Sequence, residues 1–151
     1  MTTSPAELLF GILLLLPGML AVYWPRIPIK ISEARLASDL VRLKPNLKWI
    51  VWGYPLGSFL WSLLLVGGIY LLVTVFGVMQ IFLYIGHFTA AMGLFYGVFA
   101  MLSGVMVLPK RRTFPMWCVV GDRAYEVGTT QAFISVIAIV LNSVLISMFA
   151  P

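Results

Sequence analysis

The most constraining feature of this sequence is a long uncharged segment in its middle. Between Lys48 and Lys110 lie 61 residues without one Asp, Glu, Lys or Arg. At about 1.5 Å per residue in a helix, the segment is roughly 90 Å long, which allows two long membrane crossings or three short ones. Three crossings would put the basic residues at its ends on opposite sides of a membrane, whereas two keep them together, as the positive-inside rule favours. We therefore predict two spans, at about 49–76 and 81–108.

Composition and charge placement indicate an integral membrane protein. Of the 151 residues, 62% are hydrophobic and 10% are charged, against roughly 45–50% and about 25% in soluble domains. The net charge of +5 raises the question of nucleic acid binding, but all ten Lys and Arg residues lie in two segments, 25–48 and 109–129. Such a distribution suits anionic headgroups. Membrane lipids are therefore a predicted partner, and nucleic acid is not.

Two further apolar runs complete the predicted architecture. The run at about 8–24 lacks the basic lead and cleavage site of a signal peptide, so we interpret it as a retained span. The last run, at about 131–149, follows Thr129 and Thr130, either of which could cap a helix. The sequence thus predicts an all-α, polytopic membrane protein, with one four-helix transmembrane bundle over residues 1–151. With both basic loops inside, the two termini lie outside, and the expected location is a bacterial cytoplasmic membrane.

The two basic loops carry their own predictions. In residues 32–44, leucines recur at helical spacing while Arg35 and Asp39 share another face, which predicts an amphipathic helix on the membrane surface. We expect it to be a connector with an apolar underside, and a docking helix for a partner is the alternative. In the second loop, three basic residues are expected to anchor the third span to headgroups: Lys110, Arg111 and Arg112.

Small side chains recur along the third predicted span at spacings of 4, 3, 4, 3 and 4. They are Gly86, Ala90, Gly93, Gly97, Ala100 and Gly104. On a helix they form one smooth face, which permits the close backbone approach that drives helix association in lipid. The fourth span repeats the 4, 3, 4 spacing with Gln131, Ser135, Ala138 and Asn142. We predict that these two faces meet, with Asn142 hydrogen-bonded to a backbone carbonyl or to Ser103.

A second polar strip in the third span consists of Gln80, Tyr84 and His87. His87 is the only His, Lys, Arg, Asp or Glu inside a predicted span, and such residues are candidates for function. The strip could bind a proton, a quinone carbonyl or a metal. Packing of the imidazole against a hydrogen-bonding neighbour is the expected role, because no second ionisable group is available for a proton relay.

No pattern in the sequence names a reaction. There is no glycine-rich phosphate loop, metal-ligand spacing or Ser-His-acid set, so we expect no cofactor and no metal. Cys118 has no histidine beside it to activate a nucleophile. We expect a non-catalytic subunit or scaffold of a membrane complex, which binds other transmembrane helices in a homo-oligomer or hetero-complex. Two alternatives stay open: a small oligomeric transporter or channel with the Gln80, Tyr84 and His87 strip in its pathway, and an intramembrane enzyme or redox anchor.

Overall fold

The computed structural model describes residues 5–26, 29, 35–36, 39, 44–75, 78–108 and 117–149. This part of the chain is mostly helical. The long helices are α1 (Pro5–Tyr23), α2 (Lys48–Val75), α3 (Val78–Ser103) and α4 (Asp122–Phe149). The strands are β1 (Arg35–Leu36), β2 (Val105–Leu108) and β3 (Trp117–Val120). Short 3-10 helices at Trp24–Arg26 and Pro45–Leu47 follow α1 and precede α2.

Two of the four helices are long and apolar enough to cross a membrane. These segments are Gln80–Ser103 in α3 and Asp122–Leu145 in α4. Shorter apolar segments, Gly11–Tyr23 and Leu56–Tyr70, lie in α1 and α2. The four helices thus lie where the sequence predicts four spans, and among the described residues the apolar segments of two of them are long enough for a complete crossing.

Helix α3 is the centre of the packing, and α4 lies antiparallel to it. Gly97 of α3 lies beside Ala132, whereas Gly93, one turn earlier, lies beside Ser135. Residue numbers therefore rise along one helix as they fall along the other.

Helix α1 runs parallel to α3 and contacts both α3 and α4. Gly11 lies beside Phe82, and Gly18, two turns later, lies beside Gly86. Helix α1 therefore ends where α3 ends and α4 begins. We call this end of the bundle the sheet end.

Helix α2 packs mainly against α3 and runs antiparallel to it. The Ser58 hydroxyl lies 3.3 Å from the Tyr96 hydroxyl, and Tyr84 donates a hydrogen bond to the carbonyl oxygen of Leu64. Aromatic side chains pack between these two hydrogen bonds. The ring centroids of Trp61 and Phe88 are 5.1 Å apart. Helix α2 accordingly begins at the sheet end, where it contacts β2.

The three strands form an antiparallel sheet in the order β1-β3-β2, which corrects the all-helical prediction. Helix α3 ends at Ser103 rather than at residue 108, because Gly104 takes a φ of +63° that favours glycine. Val105 then pairs with Val120, and Gly121, also at positive φ, donates its N–H to the Gly104 carbonyl at 2.9 Å. The apolar residues after Gly104 thus form a strand instead of a last helical turn.

Two loop predictions are corrected in the same region. Arg35 and Leu36 pair with Cys118 and Trp117 in the sheet, so these two residues do not belong to an amphipathic helix over 32–44. Most other residues of that predicted helix lie outside the described residues. Helix α4 begins at Asp122, nine residues before the predicted span, so Thr129 and Thr130 do not cap it. Their hydroxyls donate to carbonyls one turn earlier within the helix.

Candidate functional site

The small side chains of α3 line its contacts with two other helices. The five members of the stripe within α3 are all buried: Gly86, Ala90, Gly93, Gly97 and Ala100. The sixth member, Gly104, lies just beyond the helix, and a Cβ built on it would meet no atom of the described residues within 4 Å. Gly104 therefore turns the chain into β2 and takes no part in the packed stripe.

Helix α4 lies against this stripe at backbone contact distance. A Cβ built on Gly97 would lie 2.7 Å from the backbone nitrogen of Ala132 and 2.8 Å from the carbonyl oxygen of Gly128. Only a glycine at residue 97, whose side chain is a hydrogen, allows this approach. The sequence reasoning missed Gly128. The spacing of the α4 face continues upstream by 3 and then 4 residues to Gly128 and Ala124, and this signal could have found both.

Helix α1 contacts the same stripe from the other side. A Cβ built on Gly18 would lie 2.6 Å from the carbonyl oxygen of Gly86, and one built on Gly93 would lie 3.7 Å from the Cβ of Ala21. One buried apolar cluster joins the three helices through Ala21, Ala90 and Ala138. The helices seated on the α3 stripe therefore belong to this chain.

Three polar side chains of α4 lie inside this core with no exposed surface: Gln131, Ser135 and Asn142. Gln131 donates a hydrogen bond from Nε2 to the carbonyl oxygen of Gly93 at 3.1 Å. The Ser135 hydroxyl oxygen lies 2.6 Å from the position of a Cβ on Gly93, so a glycine there makes room for it. Within the described residues, the Gln131 Oε1, the Ser135 Oγ and both amide atoms of Asn142 have no hydrogen-bond partner.

The hydrogen bond predicted for Asn142 is therefore not formed, and the helix register explains why. Ser103 lies at the sheet end of α3, where its hydroxyl donates to the carbonyl oxygen of Phe99 at 2.7 Å. Helix α4 is antiparallel to α3, so Asn142 lies at the opposite end of the interface. Gly93 lies beside Ser135, so Asn142, two turns after Ser135, lies level with Gly86, two turns before Gly93.

The strip of Gln80, Tyr84 and His87 is not joined by hydrogen bonds in the described part of the chain. The Tyr84 hydroxyl bonds to α2 through the Leu64 carbonyl at 3.2 Å. His87 and Gln80 are half-buried, and the His87 Nδ1 is a buried atom without a hydrogen-bond partner among the described residues. Of the three residues, Tyr84 thus links α3 to α2 by a hydrogen bond. His87 has an imidazole nitrogen without a partner among the described residues.

The sheet end holds a buried thiol and a small pocket. Burial raises the pKa of the Cys118 thiol from 9.0 to about 11, which keeps it protonated and weakly nucleophilic at neutral pH. Arg123 and Glu126 form an ion pair on the first turn of α4. They lie at a pocket of about 90 Å³, which Trp24, Pro25, Val127 and Thr130 also line. The predicted anchoring residues Lys110, Arg111 and Arg112 lie outside the described residues.

The polar groups buried between α1, α3 and α4 are neutral: the amides of Gln131 and Asn142 and the hydroxyl of Ser135. They can form hydrogen bonds within the closely packed core. Among the residues with described positions, no group of three or more His, Cys, Asp or Glu could hold a metal ion. Comparison with known proteins finds no matching family model, no similar curated protein and no similar solved structure.

Proposed function

We propose that this chain is a four-span membrane protein without catalytic activity, which acts as a helix-packing subunit of a membrane complex. The outward surfaces of its helices support the proposal, because large apolar side chains dominate them. Examples from three helices are Leu9, Leu63 and Phe133, each more than half exposed. A surface of this kind favours contact with lipid or with other apolar helices.

One face of α2 carries the proposal. Its exposed residues recur at spacings of 3 and 4 and include two glycines: Gly53, Leu56, Leu60, Leu63, Gly67 and Tyr70. Among the described residues, a Cβ on Gly53 or Gly67 would meet no atom within 4 Å, whereas one on Gly97 would meet the backbone of α4. Glycine costs helix stability, and in lipid its benefit is close approach of a second helix. We therefore assign this α2 face to a partner helix, from a second copy or from another subunit.

The sheet end is the proposed cytoplasmic side. Helices α2 and α4 begin there, and both basic segments leave from it. Contact of these segments with anionic headgroups would hold the two termini on the outer face, in a bacterial cytoplasmic membrane.

The test of a partner helix is substitution on the α2 face. Gly53→Leu and Gly67→Leu should weaken association of the tagged chain in mild detergent, measured by blue-native electrophoresis and co-purification. Ser62→Leu is the matched control, because Ser62 is exposed on α2 but is not 3, 4 or 7 residues from any member of this face. Unchanged thermal stability would show that the variants are folded. Co-expression with an untagged copy distinguishes a homo-oligomer from a hetero-complex. Association that resists both glycine substitutions would contradict the proposal.

A small oligomeric transporter or channel is the second candidate. The observation that favours it is the buried, unpartnered Nδ1 of His87, since such groups mark pathways in membrane proteins. This candidate requires flux into proteoliposomes that changes with pH and is lost in His87→Ala. Flux that does not respond to this substitution would remove the Gln80, Tyr84 and His87 strip from the pathway.

A further inference from the structure

The pocket at the sheet end combines a cation, a carboxylate and an aromatic ring. Its volume is about 90 Å³, and it lies between the 3-10 helix that follows α1 and the first turns of α4. Helix α4 supplies Arg123, Glu126 and Thr130, whose spacings of 3 and 4 place them on one face. The 3-10 helix supplies Trp24 and Pro25. The pocket is therefore formed by two elements that contact each other, not by one exposed helix end.

The ion pair between Arg123 and Glu126 places opposite charges side by side on the pocket wall. The Arg123 side chain is 32% exposed and that of Glu126 is 65% exposed. An exposed ion pair contributes little to stability, so a charged ligand can compete with it. The pair uses one carboxylate oxygen of Glu126, Oε2, and the other oxygen can accept a hydrogen bond from a ligand. An adjacent cation and anion match a ligand that carries both charges close together.

Two further side chains of the pocket suit an ammonium group. The Thr130 hydroxyl donates to the backbone carbonyl of Glu126 at 3.0 Å, so its oxygen can still accept. The Trp24 side chain is 59% exposed, and the face of an indole ring attracts cations. Together with the Glu126 carboxylate, these groups favour a positively charged group. The Arg123 guanidinium favours a phosphate.

The volume of the pocket limits the positive group to a small one. At about 30 Å³ for each water molecule, the pocket has room for roughly three waters. A primary ammonium on a two-carbon chain is about this size, whereas a trimethylammonium group on the same chain is roughly twice as large. The pocket therefore fits a primary ammonium, with a phosphate at its mouth.

An exposed apolar stripe leads away from the pocket along the same face of α4. Phe133, Ile137 and Leu141 follow Thr130 at spacings of 3, 4 and 4, and each is at least 43% exposed. Because the sheet end is the proposed cytoplasmic side, the pocket lies at the level of the inner headgroups. The stripe then lies deeper, among the acyl chains. A lipid with its headgroup in the pocket has an apolar surface for its chains.

We propose that this pocket binds the headgroup of a phospholipid with a primary amine, such as phosphatidylethanolamine. Arg123 contacts the phosphate, whereas Glu126 and Thr130 accept hydrogen bonds from the ammonium. Trp24 lies against the positive charge. The lipid site rests on the membrane placement in the proposed function, but it does not depend on a partner helix at α2.

The test compares two lipids with identical acyl chains, phosphatidylethanolamine and phosphatidylglycerol, bound to the protein in detergent. Both contain a phosphate, and only the first contains an ammonium. Glu126→Gln should lower the ratio of the two affinities by about fivefold or more, because it removes the charge that holds the ammonium. Arg123→Gln should weaken binding of both lipids. Native mass spectrometry measures each affinity. A ratio that Glu126→Gln leaves unchanged, or binding that Arg123→Gln leaves unchanged, would overturn the proposal.

Asp122→Asn is the matched control for Glu126→Gln. It removes the same charge from the first turn of α4, and Asp122 is exposed and does not line the pocket. Its ratio of affinities should equal that of the natural chain. An equal fall in the two variants would show that net charge, rather than the pocket, determines lipid choice, which also overturns the proposal. Unfolding temperatures equal to that of the natural chain show that the variants are folded.

A second measurement uses the natural chain alone. Phosphatidylcholine carries three methyl groups on its nitrogen, which exceed the volume of the pocket, so phosphatidylethanolamine should bind about threefold or more tightly. Glycerophosphoethanolamine has the same headgroup without acyl chains and should not displace the lipid at equal concentration. Equal binding of the two lipids, or displacement by the soluble compound, would overturn a lipid site.

The lipid site and the partner helix can fail independently. Loss of the headgroup preference while the chain still associates through α2 would overturn the lipid site alone. A headgroup preference in a chain whose association resists Gly53→Leu and Gly67→Leu would contradict the partner helix alone.

Discussion

Gln131 of α4 donates a hydrogen bond to the carbonyl oxygen of Gly93 of α3, across 3.1 Å of fully buried core. The other polar atom of its amide, Oε1, has no partner within the described residues. The same side chain therefore stabilises the helix pair with one atom and imposes a desolvation cost with another. This balance decides what substitutions at residue 131 should do.

Gln131→Met should change the free energy of unfolding by less than about 1 kcal/mol. It removes an interhelical bond worth about 0.6 to 2 kcal/mol, but it also removes a buried carbonyl oxygen whose burial costs about 1 to 3 kcal/mol. Gln131→Ala should cost about 2 to 4 kcal/mol, because it leaves a cavity between closely packed helices. Denaturant titration in detergent measures both, and equal losses would contradict this account.

Gly97→Ala should destabilise the protein by about 1 to 3 kcal/mol. The added methyl would lie within 3 Å of backbone atoms of Ala132 and Gly128, and backbone cannot move aside as a side chain can. Gly53→Ala is the matched control on α2, measured in a detergent that separates the chain from any partner helix. Among the described residues a Cβ there meets no atom within 4 Å, so the better helix propensity of alanine should add up to about 1 kcal/mol. Thermal unfolding should therefore shift in opposite directions for the two variants.

The buried thiol of Cys118 should make stability fall as pH rises from about 9 to 11. Its pKa is raised to about 11 by burial, so the unfolded chain, with a value near 9.0, releases the proton first. The contribution is complete below pH 9 and is lost as pH passes through the folded value. Relative to Cys118→Ala, the unfolding free energy should drop by roughly 2 to 3 kcal/mol over this range. Parallel pH profiles for the two proteins would contradict the prediction.

Side-specific labelling tests the proposed four crossings. In a Cys118→Ala background, cysteines replacing Lys44 and Asp122 should react with an impermeant maleimide from the same side of the membrane. A cysteine replacing Ser147, near the other end of α4, should react from the opposite side. All three residues are exposed. Labelling of the Lys44 and Asp122 positions from opposite sides would exclude an even number of crossings between them.

The sequence was most informative where the relevant spacing was local. Small residues spaced alternately 4 and 3 positions apart lie on one face of a helix, and the structure has helices where that spacing occurs. The sheet was missed because Val105–Leu108 continues an apolar run, and a short apolar run does not distinguish strand from helix. Gly104 was counted as a packing residue, although its positive φ ends α3.

Contacts between residues that are far apart in the sequence could not be predicted from the sequence. The spacing of Arg35 and Asp39 fits a helix locally, but Arg35 pairs with Cys118, more than eighty residues away in the chain. The predicted bond of Asn142 to a backbone carbonyl or to Ser103 depends on the register of the two helices, which the sequence does not show and the Gly93–Ser135 contact fixes. The contact of α1 with the same stripe was also not predicted from the sequence.

The position of α1 between α3 and α4 has a consequence for biosynthesis. The chain emerges from the ribosome amino terminus first, and the 28 residues of α4 are made after α1, α2 and α3. During most of synthesis, α1 has neither of its main neighbours, and its glycine face stays uncovered. Helix α1 must therefore wait for α4, so a nascent chain halted before Asp122 should be an open assembly that needs an insertase or chaperone to protect it.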